Sequence, residues 1–328
     1  MSKADVIFDE NIQTIKSSGY DTKDQEVRPH WEDGEPAYTV KAFCITNRYN
    51  LAEEFPIHTQ RFINFKAAVD ELLWIWQKKS NNVNDLNSHI WDSWADETGS
   101  IGKAYGYQMA QYDKYRELSD VKLLKAFPNY MIMFTNEEII NQGRPLKIER
   151  KLVRSDKMDI CIAVFAEGMW WMTQIDKVIY DLRLTPQSRR IMTNIYQFHD
   201  LSEMGLHPCA YSMTFNVTGN KLNAILNQRS QDMLVANGWN VCQYAVLVHL
   251  IARCAGLEVG EFVHIIADAH IYDRHIDIVD RVVKNQQFPA PKFSIDEGIT
   301  DFYDFTVDNI HLDGYEFAEK IKGIPVAV

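Results

Sequence analysis

Apolar residues recur at helical spacing in two long stretches of the chain. In residues 61–80 they come every three or four positions and include several aromatic side chains, which predicts a largely buried helix. Residues 240–256 are strongly apolar and predict a second helix, which ends at Gly256 because glycine is a common residue at a helix C-terminus. Residues 1–20 are predicted to form a further helix.

Alternation of apolar and polar residues predicts strands elsewhere. Strands are expected at 37–51 and within 211–230, and residues 261–285 are expected to form a strand that runs into a helix. Between about residues 112 and 178, shorter apolar runs predict several short strands or a pair of hairpins. No internal repeat is visible. This mixture indicates an α+β fold with a single domain over residues 1–328.

Composition and charge limit the class of protein. The chain is 46% hydrophobic, enough for a packed core, and no apolar run approaches the roughly 20 residues that span a bilayer. Its N-terminal residues mix acidic and basic side chains, unlike a signal or transit peptide, so a cytoplasmic protein is expected. A net charge of −11 disfavours nonspecific nucleic-acid binding, although a few converging arginines could still hold one small anion.

The cysteines do not form a recognisable framework. They are Cys44, Cys161, Cys209, Cys242 and Cys254. Their odd number, wide spacing and lack of a CxxC pair argue against disulfides and against a zinc site, and no metal is predicted. Cys209 follows a proline in "GLHPCAYSMTF", just before a predicted strand. Taken alone, it is either inert core filler or a nucleophile that needs basic or polar neighbours.

Seven motifs occur together in the order and spacing of one enzyme family. They are HIWDSWADETGSIGKAYG, SRRI, HPCA, NQRSQDM, WNVCQYAVLVHLIA, ADAHIYDRHID and the terminal PVAV. Through them the chain resembles the flavin-independent thymidylate synthases, especially those of firmicute type, over about residues 28–112 and 176–328. The segment between these parts, about 113–175, is interpreted as an insertion that forms a folded surface lobe.

This resemblance implies both a fold and a reaction. The fold would be a single domain with a large mixed β-sheet flanked by helices, in a homodimer packed through the sheets. The reaction would be reductive methylation of dUMP to dTMP, with 5,10-methylenetetrahydrofolate as co-substrate and release of dihydrofolate. The alternative is a dUMP hydroxymethylase of the same fold, in which water takes the methylene intermediate. RNA binding by the folded enzyme would be at most a second activity, given the net charge of −11.

The resemblance also implies a nucleotide site. Cys209 matches the nucleophile that adds to C6 of dUMP, a role that suits a soft thiolate. Asn240 matches the side chain that contacts O4 and N3–H of uracil, because an amide can both donate and accept. The phosphate would be held by arginines from both subunits of the dimer, Arg28 and Arg229 with Arg189 and Arg190 from across the interface. The remaining nucleotide contacts would be Gln228, Ser230, His270 and Tyr272.

Acid–base and folate-binding residues are implied in the same way. Glu71 matches a group that organises water near O4, and Tyr105 one that lies near the C5 proton. Well-placed proton transfer of this kind gains about 10²–10⁴ in rate. Asp232 matches an acceptor for the pterin ring of the folate. Further folate contacts would come from Arg61, where the family often has lysine, and from Trp91, Trp94 and the last residue, Val328.

A few positions depart from the family pattern. Ala210 follows the nucleophile where histidine is usual, which removes an auxiliary side chain. In the loop "MLVANGWN", Ala236 replaces a frequent glycine, and Gly238 with Trp239 replaces Pro–Phe. The larger Trp239 is expected to reshape the floor of the pyrimidine pocket.

Overall fold

The computed structural model describes all residues from Met1 to Val328. The α-helices are α1 Lys3–Ser18, α2 Phe65–Trp76, α3 Gly106–Ala110, α4 Asp120–Ala126, α5 Gln174–Leu184, α6 Asn237–Ala255 and α7 Ile276–Val282. The strands are β1 Tyr20–Asp21, β2 Thr39–Asn50, β3 Tyr112–Lys114, β4 Tyr130–Asn141, β5 Arg144–Arg154, β6 Cys161–Ala166, β7 Met169–Thr173, β8 Met192–Asn194, β9 Ala210–Thr218, β10 Lys221–Gln228, β11 Gln231–Asp232, β12 Glu258–Tyr272, β13 Lys292–Ile295 and β14 Ile310–Asp313. None of the helices combines the length and the apolar character needed to cross a membrane.

A seven-stranded mixed sheet lies at the centre of the molecule. Its strands have the order β1-β2-β12-β10-β9-β8, and β11 pairs with β12 as well. β10 runs parallel to β12, whereas β2 and β9 are antiparallel to their neighbours. The expected large mixed sheet flanked by helices is therefore confirmed. Because β11 pairs with β12 at Asp232 and His270, the ends of β10, β11 and β12 lie side by side.

The helices α1 and α6 pack on one face of this sheet, and α2 packs against α6. α6 is buried along nearly its whole length, and its side chains join a hydrophobic core of 61 buried residues. Burying one large apolar side chain stabilises the fold by about 1.5–3 kcal/mol, so this core dominates the stability. α6 ends at Gly256 as predicted, with φ of +70°, a conformation that glycine adopts without steric cost. It begins at Asn237, three residues before the predicted start.

α2 is shorter than the sequence pattern predicts. The first four and the last four residues of the stretch 61–80 lie outside it, and Asn64 caps its N-terminus through a side-chain hydrogen bond. The residues before it belong to a different arrangement, in which the N–H of Phe62 donates to the carbonyl of Glu319 at 2.8 Å. A partner so distant in sequence leaves no local signal, so periodicity alone extends the helix too far.

Residues 113–175 fold into a unit with a sheet of its own. Its five antiparallel strands have the order β3-β7-β6-β5-β4, as the expected short strands require. The unit is not confined to the surface, however, because side chains such as Leu123, Leu152 and Trp170 belong to the same 61-residue core. A partly buried hydrogen bond adds to this junction, since Nζ of Lys79 donates to Oγ1 of Thr173, the last residue of β7, at 2.9 Å. The origin of the segment as an insertion stays a prediction.

The other face of the main sheet is open at its centre. Along β10, Leu222, Ala224 and Leu226 are buried in the core. Between them Ile225 points to the opposite face and is 36% exposed, although β10 is a central strand. No other element of the chain therefore covers the sheet at Ile225.

Candidate active site

One cleft brings together most of the residues that the sequence singles out. Its volume is about 320 Å³, which suits a ligand of nucleotide size. It lies where β10, β11 and β12 end, beside the N-terminus of α6 and the C-terminal segment. All but three of the predicted site residues line it, namely Arg28, Glu71, Trp91, Trp94, Tyr105, Cys209, Gln228, Arg229, Ser230, Asp232, Asn240, His270, Tyr272 and Val328. The exceptions are Arg61, Arg189 and Arg190.

The thiol of Cys209 lies just before β9 and beside a guanidinium group. Its Sγ is 3.6 Å from Nη2 of Arg229, which also donates to the backbone carbonyl of His207 at 2.7 Å. Nε of the same arginine donates to the carbonyl of Pro208 at 3.0 Å, so the guanidinium is held in place. Burial raises the pKa of the Cys209 thiol, and the positive charges of Arg229 and Arg28 oppose that shift. Cys209 therefore has the neighbouring positive charges that a nucleophilic cysteine requires.

Tyr105 is held next to this cysteine by a strained backbone. Its hydroxyl accepts a hydrogen bond from the backbone N–H of Cys209 at 3.2 Å, and its ring packs edge-on against Trp91. Its φ of +46° lies in the left-handed region, which costs a non-glycine residue roughly 1–3 kcal/mol. Burial raises the pKa of this phenol well above its usual value. The hydroxyl therefore stays protonated at neutral pH and can donate into the cleft.

Glu71 is fixed by donors on both of its carboxylate oxygens. Nε1 of Trp91 donates to Oε1 at 2.7 Å, and Nε2 of Gln243 donates to Oε2 at 2.9 Å. Nε1 of Trp239 donates to Oε2 as well. Burial raises the pKa of Glu71, and these donors act against that shift. The carboxyl group of Glu71 is thus held in a fixed position. Its burial and its three donors together determine its pKa.

Trp239 and Gln243 complete this carboxylate site, a role that their positions in the sequence do not indicate. The sequence predicts only that Trp239 reshapes the floor of the pocket. The two residues are four positions apart on α6 and therefore lie on the same side of the helix. The four-residue spacing shows only that the two side chains share one side of α6. It does not show that this side faces Glu71, because that depends on how α6 packs against α2.

Asp232 presents an acceptor at another part of the cleft. Its Oδ1 accepts from the backbone N–H groups of Leu234 at 2.9 Å and Val235 at 3.0 Å, and lies 3.6 Å from Nδ1 of His275. Burial by itself raises the pKa of Asp232, but His275 together with His270 and the N–H of Val235 holds the pKa below its usual value. Asp232 is therefore ionised at neutral pH, and its Oδ2 is not used by the protein.

The C-terminal segment forms one wall of the cleft. Residues 326–328 line it, and the backbone of Val328 exchanges two hydrogen bonds with His30, at 3.1 Å and 2.9 Å. A second attachment joins Nε2 of the buried His275 to the carbonyl of Pro325 at 2.8 Å. The segment is thus pinned over the cleft at two points.

The cleft of one chain contains only part of the predicted phosphate site. Arg28 and Arg229 line it beside Ser230. Arg189 and Arg190 are exposed and come just before β8, at an edge of the main sheet, and they do not line the cleft. Within a single chain, a phosphate can therefore reach two of the four predicted arginines.

Arg61 does not line the cleft, although the family resemblance implies a contact with the folate there. It is buried, and its guanidinium donates to the backbone carbonyl of Leu234 and, at 3.4 Å, to that of Val235. These bonds occupy the charged end of the side chain. Arg61 therefore contacts the backbone of the loop that follows Asp232 and does not line the cleft.

Asn240 lies at the N-terminal end of α6 and contacts two glutamines. Its Oδ1 accepts from Nε2 of Gln228 at 3.2 Å and from Nε2 of Gln231 at 3.4 Å. His270 and Tyr272 line the neighbouring wall, with their ring centroids 5.0 Å apart. This part of the cleft offers several polar contacts to a base and a sugar.

The chemistry that these groups can perform is nucleophilic addition coupled to proton transfer. A thiol, a fixed carboxylate and a protonated phenol line the same cavity. All five cysteines are unpaired, and no group of three or more His, Cys, Asp or Glu side chains is arranged to hold a metal ion.

Comparison with known proteins agrees with this arrangement. The family model described as thymidylate synthase matches residues 7–328. Thymidylate synthases from Bacillus licheniformis and Bacillus mojavensis are 35% and 34% identical to this chain, each over 98% of both sequences. The solved structure of a thermostable thymidylate synthase A from Bacillus subtilis has a TM-score of 0.78 and 34% identity, and the match covers 99% of both chains. The chain belongs to the thymidylate synthase family.

Proposed function

We propose that this protein methylates dUMP reductively to dTMP, with 5,10-methylenetetrahydrofolate as co-substrate, and that Cys209 is its nucleophile. The observation that carries the proposal is the single cleft lined by Cys209, Glu71, Tyr105 and Asn240. Family membership supports the same reaction, and the dUMP hydroxymethylase alternative is not favoured.

The first chemical step is addition of the Cys209 thiolate to C6 of dUMP. As the S–C6 bond forms, the electron pair of the C5–C6 double bond moves toward C5 and O4, which makes C5 a carbon nucleophile. Arg229, 3.6 Å from the sulfur, stabilises the thiolate, and Asn240 donates to O4 where negative charge develops. The phosphate binds to Arg28 and Arg229, which aligns the base with the thiol.

Glu71 and Tyr105 move the protons of the reaction. The buried carboxylate of Glu71, held by three donors, positions water beside O4 and passes protons to and from it. The Tyr105 hydroxyl lies close to the nucleophile, 3.2 Å from the backbone N of Cys209. Because its raised pKa keeps it protonated, it donates to and orients the water that accepts the proton from C5. Both groups are fixed before substrate arrives, so little reorganisation is needed.

The folate supplies a methylene carbon and a hydride when bound. The residues present fit such a molecule, because Trp91 and Trp94 form an aromatic wall with centroids 5.6 Å apart and Oδ2 of Asp232 is free to accept from a ring N–H. The pinned C-terminal segment closes this region against water, as a synthase requires and a hydroxymethylase does not.

The balance of products tests this reaction. With purified protein, dUMP and methylenetetrahydrofolate, dihydrofolate followed by its absorbance should appear one-to-one with dTMP. Removal of Val328 should suppress both products, because it breaks the bonds to His30 that hold the wall of the cleft. Formation of 5-hydroxymethyl-dUMP without dihydrofolate would establish the hydroxymethylase reaction instead.

The substitution Trp239→Phe tests the role of the Glu71 environment. It keeps an aromatic ring but removes one donor to the carboxylate, so the pKa of Glu71 should rise. Glu71 acts in its ionised form in this proposal, so the acid limb of the kcat–pH profile should move to higher pH. The expected shift is about one pH unit, because one hydrogen bond to a charged group changes a pKa by about that much. The control Trp74→Phe removes an indole hydrogen bond to the carbonyl of Asn82 and should not move the limb. An unmoved limb in Trp239→Phe would contradict this role.

Two further parts of the proposal concern assembly and location. We propose a homodimer packed through the open face of the main sheet, in which Arg189 and Arg190 enter the partner's cleft. The exposed Ile225 in a central strand and the arginine pair at the sheet edge support this arrangement. A cytoplasmic location fits the five unpaired thiols, which a reducing compartment preserves.

A further inference from the structure

We infer that His264 and Gln231, which do not line the cleft, determine its preference for uracil over cytosine by fixing which end of the Asn240 amide faces the substrate. Both side chains are buried, His264 completely and Gln231 with 1% exposure. The inference rests on the proposed role of Asn240 as a contact of the pyrimidine. It concerns groups behind Asn240, which the substrate never touches.

The first support of the Asn240 amide begins at His264. Its Nε2 lies 2.8 Å from Oε1 of Gln228, an atom that can only accept, so Nε2 carries the proton. Burial lowers the pKa of His264 to about 3, so the ring is neutral at physiological pH and has this single proton to donate. Its Nδ1 has no partner. The His264 imidazole therefore makes a single hydrogen bond, which fixes the oxygen end of the Gln228 amide.

The nitrogen end of Gln228 then points toward Asn240. Its Nε2 donates to the backbone carbonyl of Ser230 at 3.1 Å and to Oδ1 of Asn240 at 3.2 Å. A backbone carbonyl can only accept, so a reversed Gln228 amide would place oxygen against oxygen at Ser230. The orientation of Gln228 is thus fixed at both ends, by His264 and by Ser230.

Gln231 gives a second, independent support. Its Nε2 donates to the backbone carbonyl of Asp232 at 3.2 Å and to Oδ1 of Asn240 at 3.4 Å. The carbonyl of Asp232 again accepts only, so this amide cannot reverse without losing its partner. Two NH₂ groups of fixed direction therefore face the same oxygen of Asn240.

The consequence is a cleft that presents a donor. With Oδ1 of Asn240 facing the two glutamines, its Nδ2 donates to no protein atom and is free for the substrate. O4 of uracil accepts from it, whereas the amino group of cytosine would meet another donor. Turning the Asn240 amide to suit cytosine would break two hydrogen bonds and place its NH₂ group against the NH₂ groups of the two glutamines. We expect each lost bond to favour uracil over cytosine by on the order of tenfold in affinity.

Binding of dUMP and dCMP to the purified protein tests the inference. We expect His264→Phe and Gln231→Leu each to reduce the ratio of the two dissociation constants by roughly tenfold, and the double variant to reduce it further. Phenylalanine keeps an aromatic ring at the site of His264, which stacks with Phe262 at a centroid distance of 6.2 Å. His264→Gln retains a donor for Oε1 of Gln228 and should restore most of the ratio. Binding is measured by calorimetry, so that turnover is not needed.

Two further variants separate the possible outcomes. His249→Phe removes a half-buried histidine, which packs against Phe293 at a centroid distance of 4.4 Å outside the cleft, and should leave the ratio unchanged. Asn240→Asp replaces the donor by an acceptor and should shift binding toward dCMP. If Asn240→Asp leaves the ratio unchanged, the proposed role of Asn240 fails. If Asn240→Asp changes it but His264→Phe and Gln231→Leu do not, the inference about the buried supports is overturned while the role of Asn240 stands.

Discussion

The Cys209→Ser variant should lose turnover by about 10⁴-fold or more while still binding dUMP. A serine hydroxyl is not ionised at neutral pH and cannot replace the thiolate that adds to C6. Binding should persist because the phosphate contacts of Arg28 and Arg229 and the base contact of Asn240 are unchanged. Single-turnover kinetics and calorimetry measure the two properties separately.

A covalent adduct identifies the reacting sulfur directly. Wild-type protein incubated with 5-fluoro-dUMP and methylenetetrahydrofolate should carry a mass increase on the peptide that contains Cys209. Cys44→Ser, which changes an exposed cysteine outside the cleft, is the matched control and should retain activity and adduct. An adduct on any other cysteine would refute the assignment of Cys209.

Mixing two inactive variants should restore activity if the cleft is shared between subunits. The double variant Arg189→Ala with Arg190→Ala lacks the phosphate contacts that each subunit gives to its partner, and Cys209→Ser lacks the nucleophile. After random exchange of subunits half of the dimers are hybrids, and each hybrid has one complete site. Activity should therefore recover to about a quarter of the wild-type value.

The exchange experiment has a clear negative result. Subunit exchange is verified by native mass spectrometry of differently labelled variants. If hybrids form and activity does not return, the two arginines act within their own subunit or outside any site. Arg116→Ala, at an exposed arginine outside the cleft, should be active before mixing and controls for the loss of a positive charge.

The parts of the fold that the sequence predicts well are those governed by local pattern. α6 and the strands of the β9–β10 hairpin follow from periodicity and from the position of Gly256, because their side chains meet one continuous core. The start of α2 does not, because Phe62 pairs with Glu319, far away in the chain. Burial of the 113–175 segment is missed for a similar reason, since short strand-like runs do not show which surface they pack against.

The site shows the same division between motif and packing. Motif positions place Cys209, Tyr105 and Asn240 in a single cleft. Arg61 lies outside it, because carbonyl groups of a loop, which have no sequence signature, bind its guanidinium. Trp239 gains its role only from the approach of α6 to α2. Residues that act through a neighbour are therefore the ones that sequence alone leaves unassigned.

The core that extends from the main sheet into the smaller one determines how the protein unfolds. Because Leu123, Leu152 and Trp170 belong to the same 61-residue cluster as α6, one face of the smaller sheet has no apolar core separate from that of the main sheet. The two sheets therefore belong to one cooperative unit, and local opening of the smaller sheet approaches the free energy of global unfolding. Lys79 reinforces this coupling, since its Nζ donates to Oγ1 of Thr173 at the end of β7, and opening of the smaller sheet would break this hydrogen bond. Slow amide exchange should accordingly extend across both sheets.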